Sequence, residues 1–281
     1  MQELVGRVAV VTGAGSGIGR ALAHRFAAEG MRVALADVDA AALDAAADSV
    51  RAATPGAEVL TQPTDVRHAD AVQALADRTF AEWGQVDLLC NNAGVFVGGL
   101  MWERPPEDFA YCLDVNLWGI LHGIRAFVPR MIAQGTEGHV VNTVSVAGLF
   151  GSPYAGPYGI SKFAALAATE ALAGDLVATG SAIRASALCP GIISTDIVEN
   201  SDRNRPAESV TDYTEDRRFV TDHLASIIGD GVDPAHVADV VVRGIRGDDF
   251  MFLTHDHHAA PLVTRGEELA ARHLPTMVDF S

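Results

Sequence analysis

The chain has 281 residues, 49% of them hydrophobic and 20% charged, with a formal net charge of −16 at pH 7. That length suits one large globular domain with a full core, and the composition lies far from the disordered class. The acidity, with no dense Lys/Arg cluster, argues against a nucleic-acid partner, and no apolar run reaches membrane-spanning length.

Met1–Arg7 shows no basic segment followed by an apolar one, so the expectation is a cytoplasmic protein without a secretory signal. The first 190 residues alternate β-branched runs with longer, alanine-rich helical stretches. Predicted strands are Arg7–Thr12, Arg32–Ala36, Val59–Gln62, Asp87–Cys90, His139–Val144 and Arg184–Leu188. Helical patterns fall at Gly17–Glu29, Ala40–Ala53, Ala69–Trp83, Pro106–Gln134 and Tyr158–Thr179. Apolar runs that do not alternate predict strands buried on both faces, hence a parallel sheet between two helical layers. Right-handed crossovers then make a doubly wound, Rossmann-type α/β sandwich of three layers, with about seven strands.

After Pro190-Gly191 the texture changes. Ser194–Asp233 is polar and acid-rich with a weak helical pattern, Phe250–Leu253 predicts a last strand, and a short helical pattern resumes around Glu267–His273. Without an internal repeat or flexible linker, residues 1–281 read as one domain. Its parts are a core over 1–190, a region over 191–235 and a tail over 254–281. Cys90, Cys112 and Cys189 lie far apart in apolar settings and read as buried free thiols of a reducing compartment.

The first loop, Thr12-Gly13-Ala14-Gly15-Ser16-Gly17-Ile18-Gly19, follows a strand and opens a helix. That context predicts a dinucleotide-binding loop, in which glycines admit the pyrophosphate and helix N-terminal amides face its charge. Asp37 closes the second strand, where a carboxylate can accept hydrogen bonds from ribose hydroxyls and repel a 2′-phosphate. Val38 and Asp39 follow it rather than an arginine, so NAD is expected over NADP, although Arg20 is near enough in sequence to keep NADP as the alternative. Asp39 also suits the N-cap of the next helix.

One of the 20 basic residues is a lysine, Lys162, four positions after Tyr158. On a helix that spacing puts both side chains on one face, about 5–6 Å apart at Cβ. An ammonium there favours phenolate, so the tyrosine is expected to exchange protons nearer neutrality than its ordinary pKa of about 10. Arginine, a wider planar fork, is no simple substitute.

Taken together in order, these motifs resemble the short-chain dehydrogenase/reductase family in its compact single-domain branch, from about Arg7 to Thr195. The resemblance rests on the glycine loop, Asp65-Val66, Asn91-Asn92-Ala93-Gly94, Asn116, Ser145, Tyr158-x-x-x-Lys162 and Pro190-Gly191 with Thr195. It implies an oxidoreductase that moves hydride between NAD and a secondary alcohol or ketone. Asn116, Ser145, Tyr158 and Lys162 would be catalytic, with Asn116 breaking its local helix and holding a water in a proton relay to the lysine. Cofactor contacts are implied for Gly13, Ser16, Gly17, Ile18, Gly19, Asp37, Val38, Asp65, Val66, Asn92, Ala93, Gly94, Tyr158, Lys162, Pro190, Gly191, Ile193 and Thr195. Thr195 would bond the nicotinamide carboxamide, its plain alternative being an N-cap. The 191–235 region would be a lid over the substrate, and Pro106–Gln134 with Tyr158–Thr179 the interface helices of a homodimer or homotetramer.

Other features have two readings. Asn91 and Asn92 can tie neighbouring strands as well as touch ligand. Phe96, Tyr154 and Phe150 can line an apolar substrate pocket beside Ser145 and Tyr158, or belong to the core. The acids of 196–222 read most simply as a solvated face. His255-Asp256-His257-His258 looks like a metal cluster but lacks distant ligands, and no metal is expected. A silent NAD-binding redox sensor and a Rossmann-like methyltransferase are the rivals. The first has no need of all four catalytic residues, and the second leaves the tyrosine–lysine pair unused.

Overall fold

Val8–Thr12 (β1) is an apolar run ending in threonine, and all five residues are buried. A strand covered on both faces needs helices above and below it. In a computed structural model, which describes residues 1–207 and 211–277, β1 lies inside a parallel sheet. Its other strands are β2 (Arg32–Asp37), β3 (Val59–Pro63), β4 (Leu88–Asn91), β5 (Gly138–Thr143), β6 (Ile183–Cys189) and β7 (Met251–Leu253). The order is β3-β2-β1-β4-β5-β6-β7, and all pairs are parallel. Strand order reverses between β1 and β4, which opens a crevice at the strands' carboxyl ends.

In chain order the helices begin with α1 (Gly17–Ala28), α2 (Ala40–Ala53), α3 (Ala69–Trp83), α4 (Pro106–Leu113) and α5 (Gly119–Ala133). They continue with α6 (Gly156–Ala178), α7 (Ile197–Arg203), α8 (Glu215–Ile228), α9 (Pro234–Gly247) and α10 (Ala259–Ala270). Alternate residues of β1 face opposite layers. Ala9 and Val11 pack with Leu22 and Phe26 of α1, Leu43 of α2 and Val241 of α9. Val8 and Val10 pack with Leu75 of α3, Phe127 of α5 and Leu176 of α6. At the amino end of the sheet, Asp87 bonds Arg7 Nη1 at 2.9 Å and the Val8 amide at 2.8 Å, joining the starts of β1 and β4.

The expected α/β sandwich is present, with four differences of detail. The helix predicted over Pro106–Gln134 is two helices joined by a π-helical turn at Asp114–Trp118. The tail helix is Ala259–Ala270 rather than a short stretch around Glu267–His273, because Pro261 sits in its first turn, where a missing N–H costs nothing. α9 had a legible start that the sequence reading passed over: Asp233 accepts from the Ala235 amide at 2.7 Å, and Pro234 follows it. α7 and α8 form where the pattern was weak, since their apolar faces turn to a cavity rather than to the core. All three cysteines are free and buried. The 191–235 and 254–281 regions include residues 208–210 and 278–281, which lie outside the described ones.

Candidate active site

Loops leaving the carboxyl ends of β1 to β6 meet around one cavity of about 660 Å³. From β1 come Gly13, Ser16, Gly17, Ile18 and Gly19; from β2, Asp37 and Val38; from β3, Asp65 and Val66. β4 supplies Asn92, Ala93, Gly94 and Phe96, and β5 supplies Ser145, Tyr154, Tyr158 and Lys162. β6 supplies Pro190, Gly191, Ile193 and Thr195. Of the residues the resemblance assigns to catalysis or cofactor contact, Asn116 alone lies outside the lining; it is fully buried.

The glycine loop is closed on itself. A Cβ at Gly19 would lie 2.0 Å from the Gly13 carbonyl oxygen, and one at Gly13 would lie 2.8 Å from Ala93 Cα. Gly13 also has φ +66, a region that disfavours side chains. The Gly15 amide donates to Asp37 at 2.9 Å and the Asp39 amide to its other oxygen at 3.0 Å. Burial pushes the Asp37 carboxyl above its ordinary range, although these amides and that of Val38 oppose it. Asp39 caps α2 as expected, accepting from Ala41 and Ala42. At the end of β3, burial works against Asp65 but its bonds from Arg67 prevail and hold the carboxyl below its usual range.

Asn91, the last residue of β4, and Asn92 after it both tie strands together. Asn91 donates to Asn142 at 2.9 Å. Asn92 donates to the Thr12 carbonyl at 3.0 Å and accepts from Thr143 at 3.1 Å, joining the ends of β1, β4 and β5. Thr195 is not an N-cap, since Asp196 holds that position of α7. Its methyl would instead meet a Cβ on Gly17 at 3.0 Å.

Tyr158 and Lys162 share one face of α6, with the ammonium 5.6 Å from the tyrosine ring centre. Lys162 is buried and donates to the Thr143 carbonyl at 3.0 Å. Ser145 faces Tyr158 closely enough to lower its pKa, accepts from the Ala147 amide at 3.2 Å and donates to the Pro190 carbonyl at 3.4 Å. Tyr158 keeps part of its surface on the cavity, yet protein crowded around its hydroxyl pushes it up to about 12, with Ser145 pulling it back. Burial drops Lys162 to about 8. The sequence reading expects Tyr158 to move the other way. Loss of water around the two groups disfavours phenolate and ammonium alike.

Asn116 sits in the π-helical turn, an irregularity that frees backbone groups from the helical ladder. Its side-chain amide is fully engaged. It accepts from the Val95 amide at 2.8 Å and donates to the Val95 carbonyl at 3.0 Å and to Ser161 at 2.8 Å. The residue therefore joins the loop after β4 to α6. A Cβ on Gly94 would lie 3.3 Å from Asn116 Oδ1 and 3.5 Å from Lys162 Nζ, so glycine keeps the space between them open.

α7 closes over the glycine loop: Asn200 donates to Ser16 at 3.1 Å, and the Phe96 amide donates to Ser201 at 2.8 Å. The acids of 196–222 are more than a solvated face. Asp216 accepts from the Leu100 amide at 2.8 Å and from Arg104 at 3.0 Å, and Asp202 accepts from Arg217 at 2.6 Å. Behind them Asp108, wholly buried, lies between Arg104 and Arg205 and also accepts from Thr211 at 2.9 Å. Phe96 stacks 5.1 Å from Tyr158, and Tyr154 lies 5.3 Å from Phe219 of α8, so both reach the cavity. Phe150 does not; it is core, 6.4 Å from the His258 ring.

The histidines after β7 support the Pro190-Gly191 turn from behind. The Gly191 amide donates to Thr254 at 3.0 Å, and Thr254 Oγ1 is 2.8 Å from His255 Nδ1. A Cβ on Gly191 would lie 2.7 Å from that nitrogen. Burial, then the neighbouring His257, lowers His255 and takes His258 down to about 4. Among the described residues no group of three or more His, Cys, Asp or Glu side chains is placed to hold a metal, nor is any helix long and apolar enough to cross a membrane.

A family described as short chain dehydrogenase matches residues 7–206. The chain belongs to that family. A 1-deoxy-11-beta-hydroxypentalenate dehydrogenase of Streptomyces exfoliatus is 42% identical over 195 residues, covering 69% of this chain and 70% of that one. The Streptomyces arenae enzyme of the same name is 39% identical over 276 residues, covering 96% and 89%. A Burkholderia phymatum short chain dehydrogenase/reductase solved in complex with NAD superposes with a TM-score of 0.95, at 40% identity, covering 99% of each chain. The protein is accordingly an oxidoreductase of the short-chain dehydrogenase/reductase kind.

Sequence reasoning missed the cavity's outer wall. It consists of Asn200 and Arg203 of α7, Phe219, Val220, His223, Leu224 and Ile227 of α8, and Met277 of the tail. The apolar spacing Phe219, Val220, Leu224, Ile227, Ile228 was a usable helical signal there.

Proposed function

We propose that the protein binds NAD along the glycine loop and Asp37, and oxidises an apolar secondary alcohol or reduces the matching ketone. The observation that carries this is the convergence of Tyr158, Lys162 and Ser145 on the cavity that also holds that loop and carboxylate. The donor set fits a dinucleotide: Asp37 offers acceptors for ribose hydroxyls, Lys162 offers an ammonium, and the Gly13–Gly19 loop opens α1 at its amide end. Names of the two Streptomyces relatives, which describe dehydrogenation of a hydroxylated compound, and the NAD complex of the Burkholderia protein support the same reading.

In this mechanism Ser145 holds the substrate oxygen by hydrogen bonding. Tyr158, as phenolate, takes the hydroxyl proton during oxidation and returns it during ketone reduction. Lys162 favours the phenolate, and Asn116 holds the loop after β4 and α6 in register around that lysine. Bound NAD supplies the hydride acceptor, and its oxidised ring adds positive charge that favours ionised Tyr158. Phe96 and Tyr154 give the substrate an apolar wall.

We also read the chain as one Rossmann unit, with 191–235 as its lid and 254–281 as its tail, working in the cytoplasm as a homodimer or homotetramer. Exposed Trp118 and Ile160, together with Trp102 at 77% exposure, leave apolar surface around α4 to α6 for a second copy. The test is to mix the pure protein with NAD or NADP and follow reduced nicotinamide across a panel of secondary alcohols. NAD-dependent oxidation is expected, and oxidation with NADP alone would overturn the cofactor assignment.

A further inference from the structure

The chain continues past β7 into α10, then folds back. Arg272, at φ +64, ends the helix in a left-handed conformation, with its amide on the Leu269 carbonyl and the His273 amide on the Glu268 carbonyl, both at 2.9 Å. The Glu268 side chain then holds the returning strand of chain. One carboxylate oxygen accepts from the Thr276 amide at 2.8 Å and the other from the Thr276 hydroxyl at 2.5 Å. The next residue, Met277, lines the large cavity.

Several apolar side chains on that lining stay open to solvent. Phe219 is 60% exposed and Met277 49%, with Leu224 and Ile227 of α8 also on the lining. Tyr154 connects this wall to the chemistry, since it stacks on Phe219 only four positions before Tyr158. Large apolar side chains left uncovered around a cavity are covered when an apolar ligand enters.

We infer that Met277, held in place by Glu268 through Thr276, is a specificity-determining part of the substrate wall that selects for long apolar chains on the carbinol. The inference rests on the functional reading above and extends it to a residue far outside the family's catalytic motifs. Methionine suits the task, because its unbranched, polarisable side chain adapts to chains of different shape. Glu268 acts as a positioning residue, since its contact is with Thr276 rather than substrate.

The test is kcat/KM for secondary alkanols, from sec-butanol to the ten-carbon homologue, with wild type, Met277→Ala, Glu268→Ala and Glu268→Gln. Each methylene that loses an apolar contact weakens binding about threefold to fourfold. Met277→Ala and Glu268→Ala should therefore lower kcat/KM for the longest alkanol about fivefold or more. Sec-butanol should stay within about twofold and the KM for NAD should not change. Glu268→Gln should restore the wild-type profile, because its amide oxygen accepts from the Thr276 amide and its NH2 donates to the hydroxyl. An equal loss at every chain length, or no loss at any, overturns the inference while the wild type still turns over. A wild type that oxidises no alkanol of the series overturns the functional reading instead.

Discussion

Lys162 Nζ donates to the carbonyl of Thr143, the last residue of β5, at 3.0 Å. The bond anchors a buried ammonium to the sheet edge that also carries Asn92, through Thr143 Oγ1. Helix α6 and strand β5 thus hold the charge at the cavity together, beside Tyr158. A site with its ammonium fixed in advance loses little to reorganisation when proton transfer begins.

That burial has a stability cost with a definite pH dependence. The folded pKa of Lys162 is lowered from 10.5 to about 8, so below that value the folded state must hold a charge the unfolded state holds more easily. The cost is full below about 8, shrinks as pH rises and disappears above the unfolded value. Lys162→Met should therefore stabilise the cofactor-free protein at pH about 7 by on the order of 1–3 kcal/mol, with little gain near pH 11. Thermal melts at the two pH values check this, and a pH-independent difference would contradict it.

Tyr158→Phe removes the proton carrier but keeps the ring that packs 5.1 Å from Phe96. Turnover should fall by about 10²–10⁴-fold or more. NAD binding, followed by quenching of intrinsic tryptophan fluorescence, should be retained. Substantial turnover by this variant would remove Tyr158 from the mechanism.

Asp37 has two tasks, accepting the Gly15 amide within the protein and ribose hydroxyls of the cofactor in the proposed complex. Asp37→Ala should raise the KM for NAD about tenfold or more and narrow the preference over NADP, the scale of one or two lost charge-assisted hydrogen bonds. Burial raises the carboxyl's pKa, so the proton that spoils its acceptor role binds at a higher pH than for an ordinary aspartate. The KM for NAD in wild type should accordingly climb as pH falls toward the acid range, and in Asp37→Ala it should stay flat. A flat wild-type profile would argue that Asp37 acts only within the loop.

Asp108, with no exposure, sits between two buried guanidinium groups. Removing it takes away the carboxylate that both cations share, so Asp108→Ala should destabilise the protein by about 3–5 kcal/mol. Denaturant unfolding measures that directly. Any variant that still folds should show a larger rise in KM for the alcohol than for NAD, because Asp108 and Arg104 hold Thr211, Thr214 and Asp216 before and at the start of α8 rather than the glycine loop.

Much of the fold was legible because buried parallel strands and amphipathic helices write their periods into the chain. The six strands predicted up to Leu188, and the last one near Phe250, each appear within a residue or two of their expected limits. Elements facing the cavity were hard to read for the same reason. α8 turns Phe219 and Leu224 toward the cavity, where Phe219 meets Tyr154 rather than the core, and its polar residues dominate the composition. The π-helical turn at Asn116 was foreshadowed by an asparagine inside a helical pattern, a residue that competes for backbone hydrogen bonds.

The sequence by itself determined the strand order's chemistry: glycines after β1, a carboxylate after β2, and a tyrosine and lysine one turn apart on α6. Those depend on local spacing, which helix and strand geometry convert directly into position. Only the tertiary structure decided the electrostatics and the walls. Whether Tyr158 sits high or low depends on how much water the fold leaves around it. The pairing of Asp108 with Arg205 and Thr211, and the latch from Asn200 to Ser16, join residues roughly 97 to 184 positions apart. Contacts at such separation leave no periodic trace, because what pairs them is the packing of the finished sheet and its helices.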